Sequence, residues 1–188
     1  RAFMIENVPG MATLYKGEVK NEILKRFKKM NYSITCKILC SADYGVPQIR
    51  KRLVFIGLRD HKDEFEFPTP SHTQDNYITC EQAISDLPSL VDNIGSEVSD
   101  YIMEPLNEYQ RTMRGECKIL YNHKAVSHKQ FVKDIIALVP DGGNWKDLPD
   151  GVGESRKFHM AWTRYRSDKP SRTIDTGHRN NFHYKWNR

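Results

Sequence analysis

Long apolar runs are missing from this sequence. No stretch approaches the roughly 20 residues that a membrane helix requires, and no secretory leader is visible. Cysteine is scarce: Cys36, Cys40, Cys80 and Cys117 form no CxxC pair and no regular framework. That spacing excludes a disulfide scaffold and is read as reduced thiols of a cytoplasmic protein. The 7 histidines also lack metal-ligand spacing, since His123 and His128 lie five apart with no cysteine nearby, so no metal site is expected. Internal repeats and low-complexity tracts are absent. Basic charge is almost missing from residues 60–110, which hold 1 basic and 12 acidic side chains.

The charge that is present lies at the two ends. Residues 1–59 carry 12 basic and 4 acidic side chains, and residues 155–188 carry 9 and 2, while residues 111–154 are near neutral. Two basic ends flanking an acidic middle point to a polyanionic partner at the ends and a solvent-facing middle, although such blocks also occur as plain solvated faces. At 188 residues the chain has enough mass for a sizeable core.

Ala2 to Ile5 is a short apolar run ending at Glu6-Asn7, consistent with a buried strand, and Val8-Pro9-Gly10 breaks it. Ile23, Leu24, Phe27 and Met30 recur at helical spacing. Lys16, Lys20, Lys25, Arg26, Lys28 and Lys29 occupy the other faces, which predicts a basic amphipathic helix from about residue 17 to 30. Alternation at Ile34, Cys36 and Ile38 predicts a strand, the turn Tyr44-Gly45-Val46-Pro47 follows, and residues 53–58 read as another strand. This is an α/β unit closed by a hairpin. Past Arg59 the character changes, and a boundary is drawn near residue 60, with Glu66-Phe67-Pro68-Thr69-Pro70 as an extended linker. Thr79-Cys80-Glu81-Gln82 reads as a capping box for a short helix, and Ser127-His128-Lys129-Gln130 as a second one before a helix ending at Pro140. Asp141-Gly142-Gly143-Asn144 reads as a turn, which could also cradle a phosphate.

Two clusters carry chemistry. A strand ending in Glu6-Asn7 sets both side chains at the edge of a sheet where α/β folds bind ligands. A carboxyl there can accept from an exocyclic amine and, when protonated, donate to a ring nitrogen. Those are the contacts that read cytosine at its amino group and N3. An isolated Glu-Asn is also an ordinary strand end. In the second cluster, Gln48, Arg50 and Arg52 alternate with Ile49 and Lys51 and so share one face of a strand. Their guanidinium groups can clamp phosphate or a carbonyl oxygen, or simply be solvated.

Taken together, FMIENVPG, a helix of about a dozen residues, SADYGVPQIRKR and an apolar strand resemble the DNA cytosine-5 methyltransferase family. The resemblance continues through FEFPTPSHT, NHKAVSHKQFVKDIIALVPDGGNWKDLP and KPSRTIDT, and so covers essentially the whole chain. It implies an α/β fold: the C-terminal half of a Rossmann-like methyltransferase sheet over residues 1–60, then a mixed α+β target recognition domain with its connector over 61–188. It further implies that Glu6 contacts N3 and the amino group of a flipped cytosine, and that Asn7 shapes the loop beside it. Arg52 would reach the cytosine carbonyl, with Arg50 and Gln48 as companions, and Thr173-Ile174 would pack near the flipped nucleotide's backbone. The base leaves the helix because stacking hides the reacting carbon. A cysteine then adds to C6, making C5 nucleophilic toward the methyl group of S-adenosylmethionine.

The family's nucleophile lies in a Pro-Cys pair, yet none of the four cysteines here follows a proline, and the family's glycine-rich cofactor loop is absent too. The sequence also opens on Arg1. The chain is therefore expected to be an internal piece, inactive alone and completed by the rest of the polypeptide or by a second subunit, with S-adenosylmethionine bound mainly elsewhere. The expected partner is double-stranded DNA, and the expected setting is the modification arm of a bacterial restriction–modification system. A DNA-recognition subunit without chemistry of its own and a tRNA cytosine methyltransferase are the alternatives. Expected DNA contacts are Gln48, Arg164, Arg166, Lys169, Arg172 and Thr173, with Arg156, Lys157 and Arg179 as further basic candidates. Arginine more often reads guanine, and lysine more often holds phosphate.

Overall fold

A computed structural model describes residues 1–153, 162–174 and 181–186. Contacts divide the chain into two units, Arg1–Asn76 and Tyr77–Arg188. In the first, β1 (Ala2–Asn7), β2 (Tyr32–Cys40) and β4 (Lys51–Arg59) form a three-stranded sheet in the order β1-β4-β2, with β4 antiparallel to both neighbours. A two-residue strand, β3 (Gln48–Ile49), precedes β4.

The predicted helix is α1 (Glu18–Lys29). Gly17 enters it at φ +90°, and Asn31 leaves it at φ +61° while donating its N–H to the Lys28 carbonyl at 3.1 Å. Asparagine tolerates that left-handed conformation, which stops the helix. Ile23, Leu24 and Phe27 pack on one face of the sheet against buried Ile34, Leu53 and Phe55, together with Phe3 and Ile5. The register explains the fit. Phe3 faces Gly57 across the ladder, and a Cβ at Gly57 would lie 2.2 Å from the Phe3 ring. The missing side chain lets that ring lie against the strand and meet Phe27, with centroids 4.2 Å apart.

Alternation along β1 then assigns the opposite face. Phe3 and Ile5 turn toward α1, so Met4 and Glu6 turn away from it, and Met4 is 71% exposed. On β4, Arg52 and Val54 share the Glu6 side of the pleat.

The first unit extends beyond the composition change near residue 60, because the Pro-Thr-Pro segment folds back on it. The Tyr44 hydroxyl donates to the Pro68 carbonyl at 3.1 Å, and the N–H groups of Ser71 and His72 both donate to the Asp43 carbonyl. Every acidic residue from Asp60 to Glu108 is exposed except Asp86, which is buried beside Arg114 at 3.4 Å.

The second unit contains α2 (Cys80–Ile84), β5 (Gly95–Asp100), α3 (Glu108–Arg114), β6 (Ile119–Lys124) and α4 (Gln130–Leu138). Three two-residue strands follow: β7 (Thr163–Arg164), β8 (Ser171–Arg172) and β9 (Asn181–Phe182). β5 and β6 pair antiparallel, while β7 and β9 pair parallel. Ile136 and Val139 of the α4 segment pack with Trp162 and Phe182 to form the core. The Thr79 capping box forms as expected, with reciprocal bonds to Gln82 at 3.1 and 3.0 Å. Ser127 caps nothing: α4 starts at Gln130, because the Lys129 carbonyl already accepts from Val132 and Lys133. The second capping box is instead Asn144 with Asp147. No helix among the described residues is long and apolar enough to cross a membrane.

Candidate functional site

Glu6 lies at the carboxyl end of β1 and pairs with Val54 across the ladder. Arg52 is two residues from Val54 on the same face, a diagonal that long side chains span. Its Nε lies 2.7 Å from Glu6 Oε1, and Arg50 Nη2 reaches the same oxygen at 3.5 Å. Arg52 Nη1 also donates to the Lys51 carbonyl at 2.8 Å, so its guanidinium is held at two points. Among the described residues, Glu6 Oε2 has no hydrogen bond, and the side chain is half exposed. Asn7 Oδ1 accepts from the Val8 N–H at 2.8 Å, which fixes the exit from the strand just before Pro9.

The sequence places Gln48, Arg50 and Arg52 on one continuous strand. The structure corrects this. β3 ends at Ile49 and β4 begins at Lys51, so Arg50 sits at a break. The break forms because Ser41 takes over the backbone bonds there: its N–H donates to the Arg50 carbonyl, and its Oγ bridges the Gln48 carbonyl and the Arg50 N–H. Arg50 and Arg52 still converge on Glu6, whereas Gln48 contributes its backbone to this arrangement.

In the second unit the expected DNA contacts separate into different roles. Arg164 is 5% exposed. Its Nε donates to the Val139 carbonyl at 2.8 Å, Nη2 to Ile136 at 2.6 Å, and Nη1 to His183 and Trp186 at 3.1 and 3.2 Å. The cation thus closes the carboxyl end of α4, where the helix dipole favours positive charge. Burial pushes its pKa down, opposed by the charge of Asp141. The side chain expected from the sequence to contact DNA is thus buried and donates to protein carbonyls. Arg166 is exposed, but its fork is closed on Asp168 at 2.8 and 2.7 Å. Lys169, Arg172 and Thr173 are exposed. Arg156, Lys157 and Arg179 lie outside the described residues.

Sequence reading missed the part played by Ser41 and the burial of Arg164. A basic residue two positions after Trp162 and followed by Tyr165, a cation flanked by large aromatics, is the one signal for the latter.

Among the described residues, the Gly142-Gly143 turn does not fit S-adenosylmethionine. Gly142-Gly143 is the sole Gly-Gly pair, and its space is filled by protein. A Cβ at Gly142 would lie 2.3 Å from Arg166 Cγ, and one at Gly143 would lie 2.6 Å from Pro140 Cγ. The Gly143 carbonyl accepts from the Arg164 N–H, and Asp141 accepts from Ser167, so this is the packed turn rather than a phosphate cradle. No cluster of metal-ligand type occurs among the described residues.

A family model described as C-5 cytosine-specific DNA methylase matches residues 1–188. The chain is similar to the Type II methyltransferase M1.HphI of Haemophilus parahaemolyticus. It is 35% identical over 190 residues, which cover 99% of this chain and 43% of that protein. It is also similar to the Type II methyltransferase M.DdeI of Desulfomicrobium norvegicum, 35% identical over 82% of this chain and 39% of that protein. The chain thus spans less than half the length of these relatives. A solved E. coli structure, described as a candidate DNA modification methyltransferase encoded within a prophage, superposes with a TM-score of 0.68 at 20% identity. It covers 92% of this chain and 52% of that one, a likeness of fold. A match along the whole length, joined to motifs whose side chains meet at Glu6, makes this chain a member of the C-5 cytosine-specific DNA methylase family.

Proposed function

We propose that this chain is the part of a DNA cytosine-5 methyltransferase that receives a flipped target cytosine and contacts the surrounding duplex. The observation that carries the reading is the convergence of Arg52 and Arg50 on one oxygen of Glu6, with no hydrogen bond to the other oxygen among the described residues. That second oxygen can accept from the cytosine amino group, and a protonated carboxyl can donate to N3. Addition of a nucleophile at C6 moves electron density toward N3 and the base carbonyl. Glu6 at N3 and a guanidinium at the carbonyl stand where that charge develops.

The fold is read in the same way. The sheet β1-β4-β2 serves as the second half of the methyltransferase sheet, with the first half continuing beyond β1, where Met4 is exposed. Residues 61–188 serve as connector and target recognition domain. Because no cysteine here follows a proline, the nucleophile belongs to polypeptide outside these 188 residues, as does the S-adenosylmethionine loop. The whole enzyme acts on double-stranded DNA, as the modification arm of a bacterial restriction–modification system.

The test is Glu6→Gln in the full-length enzyme. The amide keeps the shape but cannot pass a proton to N3. General acid assistance is typically worth roughly 10²–10⁴-fold, so single-turnover methylation is expected to fall by about that factor while duplex affinity is retained. Unchanged methylation overturns the role given to Glu6.

A further inference from the structure

We infer that Ser41 is a positioning residue that aims Arg50 at Glu6 by holding the backbone on either side of Ile49. The inference rests on the function proposed above for the Glu6–Arg50–Arg52 cluster.

Cys40, the last residue of β2, pairs with Lys51, so the regular ladder ends one residue before Arg50. Ser41 continues the pairing by other means. Its N–H donates to the Arg50 carbonyl at 3.0 Å, as a strand residue would. Its hydroxyl donates to the Gln48 carbonyl and accepts from the Arg50 N–H at 3.2 Å, bridging the two peptide groups around Ile49. Its own carbonyl accepts from the Val46 N–H at 3.2 Å. The same carbonyl also accepts from the Gly45 N–H, so every polar atom of Ser41 is used and all of these bonds end within residues 45–50. The serine is itself anchored. Ala42 beside it is fully buried, and the turn that follows closes at Gly45, whose φ is +81°.

The consequence falls on Arg50. Both polar groups of its backbone are held by Ser41, which sets where its Cα–Cβ bond starts and so whether a long side chain reaches Glu6. An Nη2–Oε1 separation of 3.5 Å is at the edge of hydrogen-bond range, and a small backbone shift breaks it. Alanine would keep the main-chain bonds and lose both hydroxyl bonds, which leaves a part-buried carbonyl and a part-buried N–H without partners. Threonine would keep the hydroxyl.

The experiment uses the full-length enzyme with Ser41→Ala, Ser41→Thr, Arg50→Ala and the Ser41→Ala/Arg50→Ala pair. Single-turnover methylation, duplex affinity and thermal midpoint are measured for each. Misplacement of a substrate-orienting group can cost up to about 100-fold in rate, so Ser41→Ala is expected to lose about 10- to 100-fold in rate with affinity changed by less than about threefold. Ser41→Thr is expected to restore most of the rate. In the double variant the loss is expected to equal that of Arg50→Ala alone, because the serine acts through that arginine. A Ser41→Ala loss that multiplies in full on Arg50→Ala overturns the inference and leaves a purely structural serine. Wild-type methylation by Ser41→Ala beside an impaired Arg50→Ala also overturns it, while the reading of the arginine site stands. Wild-type methylation by Arg50→Ala removes the reading itself. Should Ser41→Ala not fold, failure of the folded Ser41→Thr to methylate would count against the inference.

Discussion

Glu6 Oε1 and Arg52 Nε stand 2.7 Å apart, on neighbouring antiparallel strands whose side chains share the face turned away from α1. The pair lies at the end of the ladder, where β1 gives way to Val8-Pro9 and β4 has just begun. The Glu6 side chain is half exposed and Arg52 is 24% exposed, so a planar ligand can reach the carboxylate while the guanidinium stays held from behind.

Arg52→Lys tests whether that geometry matters beyond its charge. A lysine ammonium can replace one of the two Arg52 bonds, to Glu6 or to the Lys51 carbonyl, but it lacks the rigid fork that makes both at once. The full-length Arg52→Lys enzyme is expected to lose at least about tenfold in methylation rate, while its unfolding free energy changes by less than about 1 kcal/mol, the usual scale for a solvent-accessible ion pair. Rate assays beside denaturant titration separate the two. Equal losses in stability and rate would mark the pair as structural.

Arg164 carries the opposite expectation. Its guanidinium closes the end of α4 by donating to four carbonyl groups. Arg164→Met keeps much of the apolar stem and removes every one of those bonds. The isolated chain is expected to lose roughly 3 kcal/mol of stability, since buried acceptors lose a charged donor. Duplex preference, measured below the new melting temperature, should be unaltered. A stable Arg164→Met chain with altered sequence preference would return this residue to the DNA-contacting set.

Periodicity made the first unit largely legible. Ile23, Leu24 and Phe27 mark the buried face of α1, and the two motifs at Glu6 and Gln48–Arg52 carry both the family and the residues that meet. Three things stayed hidden for physical reasons. Strand alternation says nothing of a break, and the break at Arg50 depends on a serine hydroxyl seven and nine residues away along the chain. Charge alone says nothing of burial, so Arg164 looked like the exposed Arg166 and Arg172. Composition marks residue 60, whereas the unit ends at Asn76, because the bonds from Tyr44 and Asp43 to the Pro-Thr-Pro-Ser-His segment are contacts over long sequence separation.

His183 gives the second unit a pH dependence. Its ring stacks on Trp186 at 3.9 Å, and its Nδ1 accepts from the N–H groups of Lys185 and Trp186, both at 3.1 Å. Burial lowers its pKa to about 4, with the charges of Arg164 and His123 acting in the same direction. In the unfolded chain the ring titrates near its ordinary value of 6.5. The neutral ring's contribution is therefore complete above pH 6.5 and is lost as pH falls toward 4, because the unfolded state binds the proton first. Denaturation midpoints are expected to decline across that window, and less so in His183→Gln. The ring proton resonances of His183 should titrate near pH 4; a midpoint above about 6 would contradict the buried, neutral ring.

The last prediction concerns sequence reading in the second unit. With Arg164 buried and Arg166 closed on Asp168, Arg172 and Lys169 are the further exposed basic residues of the segment 164–172. They differ in what they can recognise. A guanidinium offers a bidentate edge that matches guanine, while an ammonium offers a point charge that suits phosphate. In the full-length enzyme, Arg172→Ala is expected to cost about 1–3 kcal/mol on the preferred duplex and much less on others, which flattens discrimination. Lys169→Ala is expected to weaken all duplexes alike and to reduce the slope of log affinity against log salt by about one. Competition binding across a panel of duplexes at several salt concentrations reads both effects. If both substitutions weaken every duplex equally, the segment holds the backbone only, and base reading belongs to other residues of 61–188.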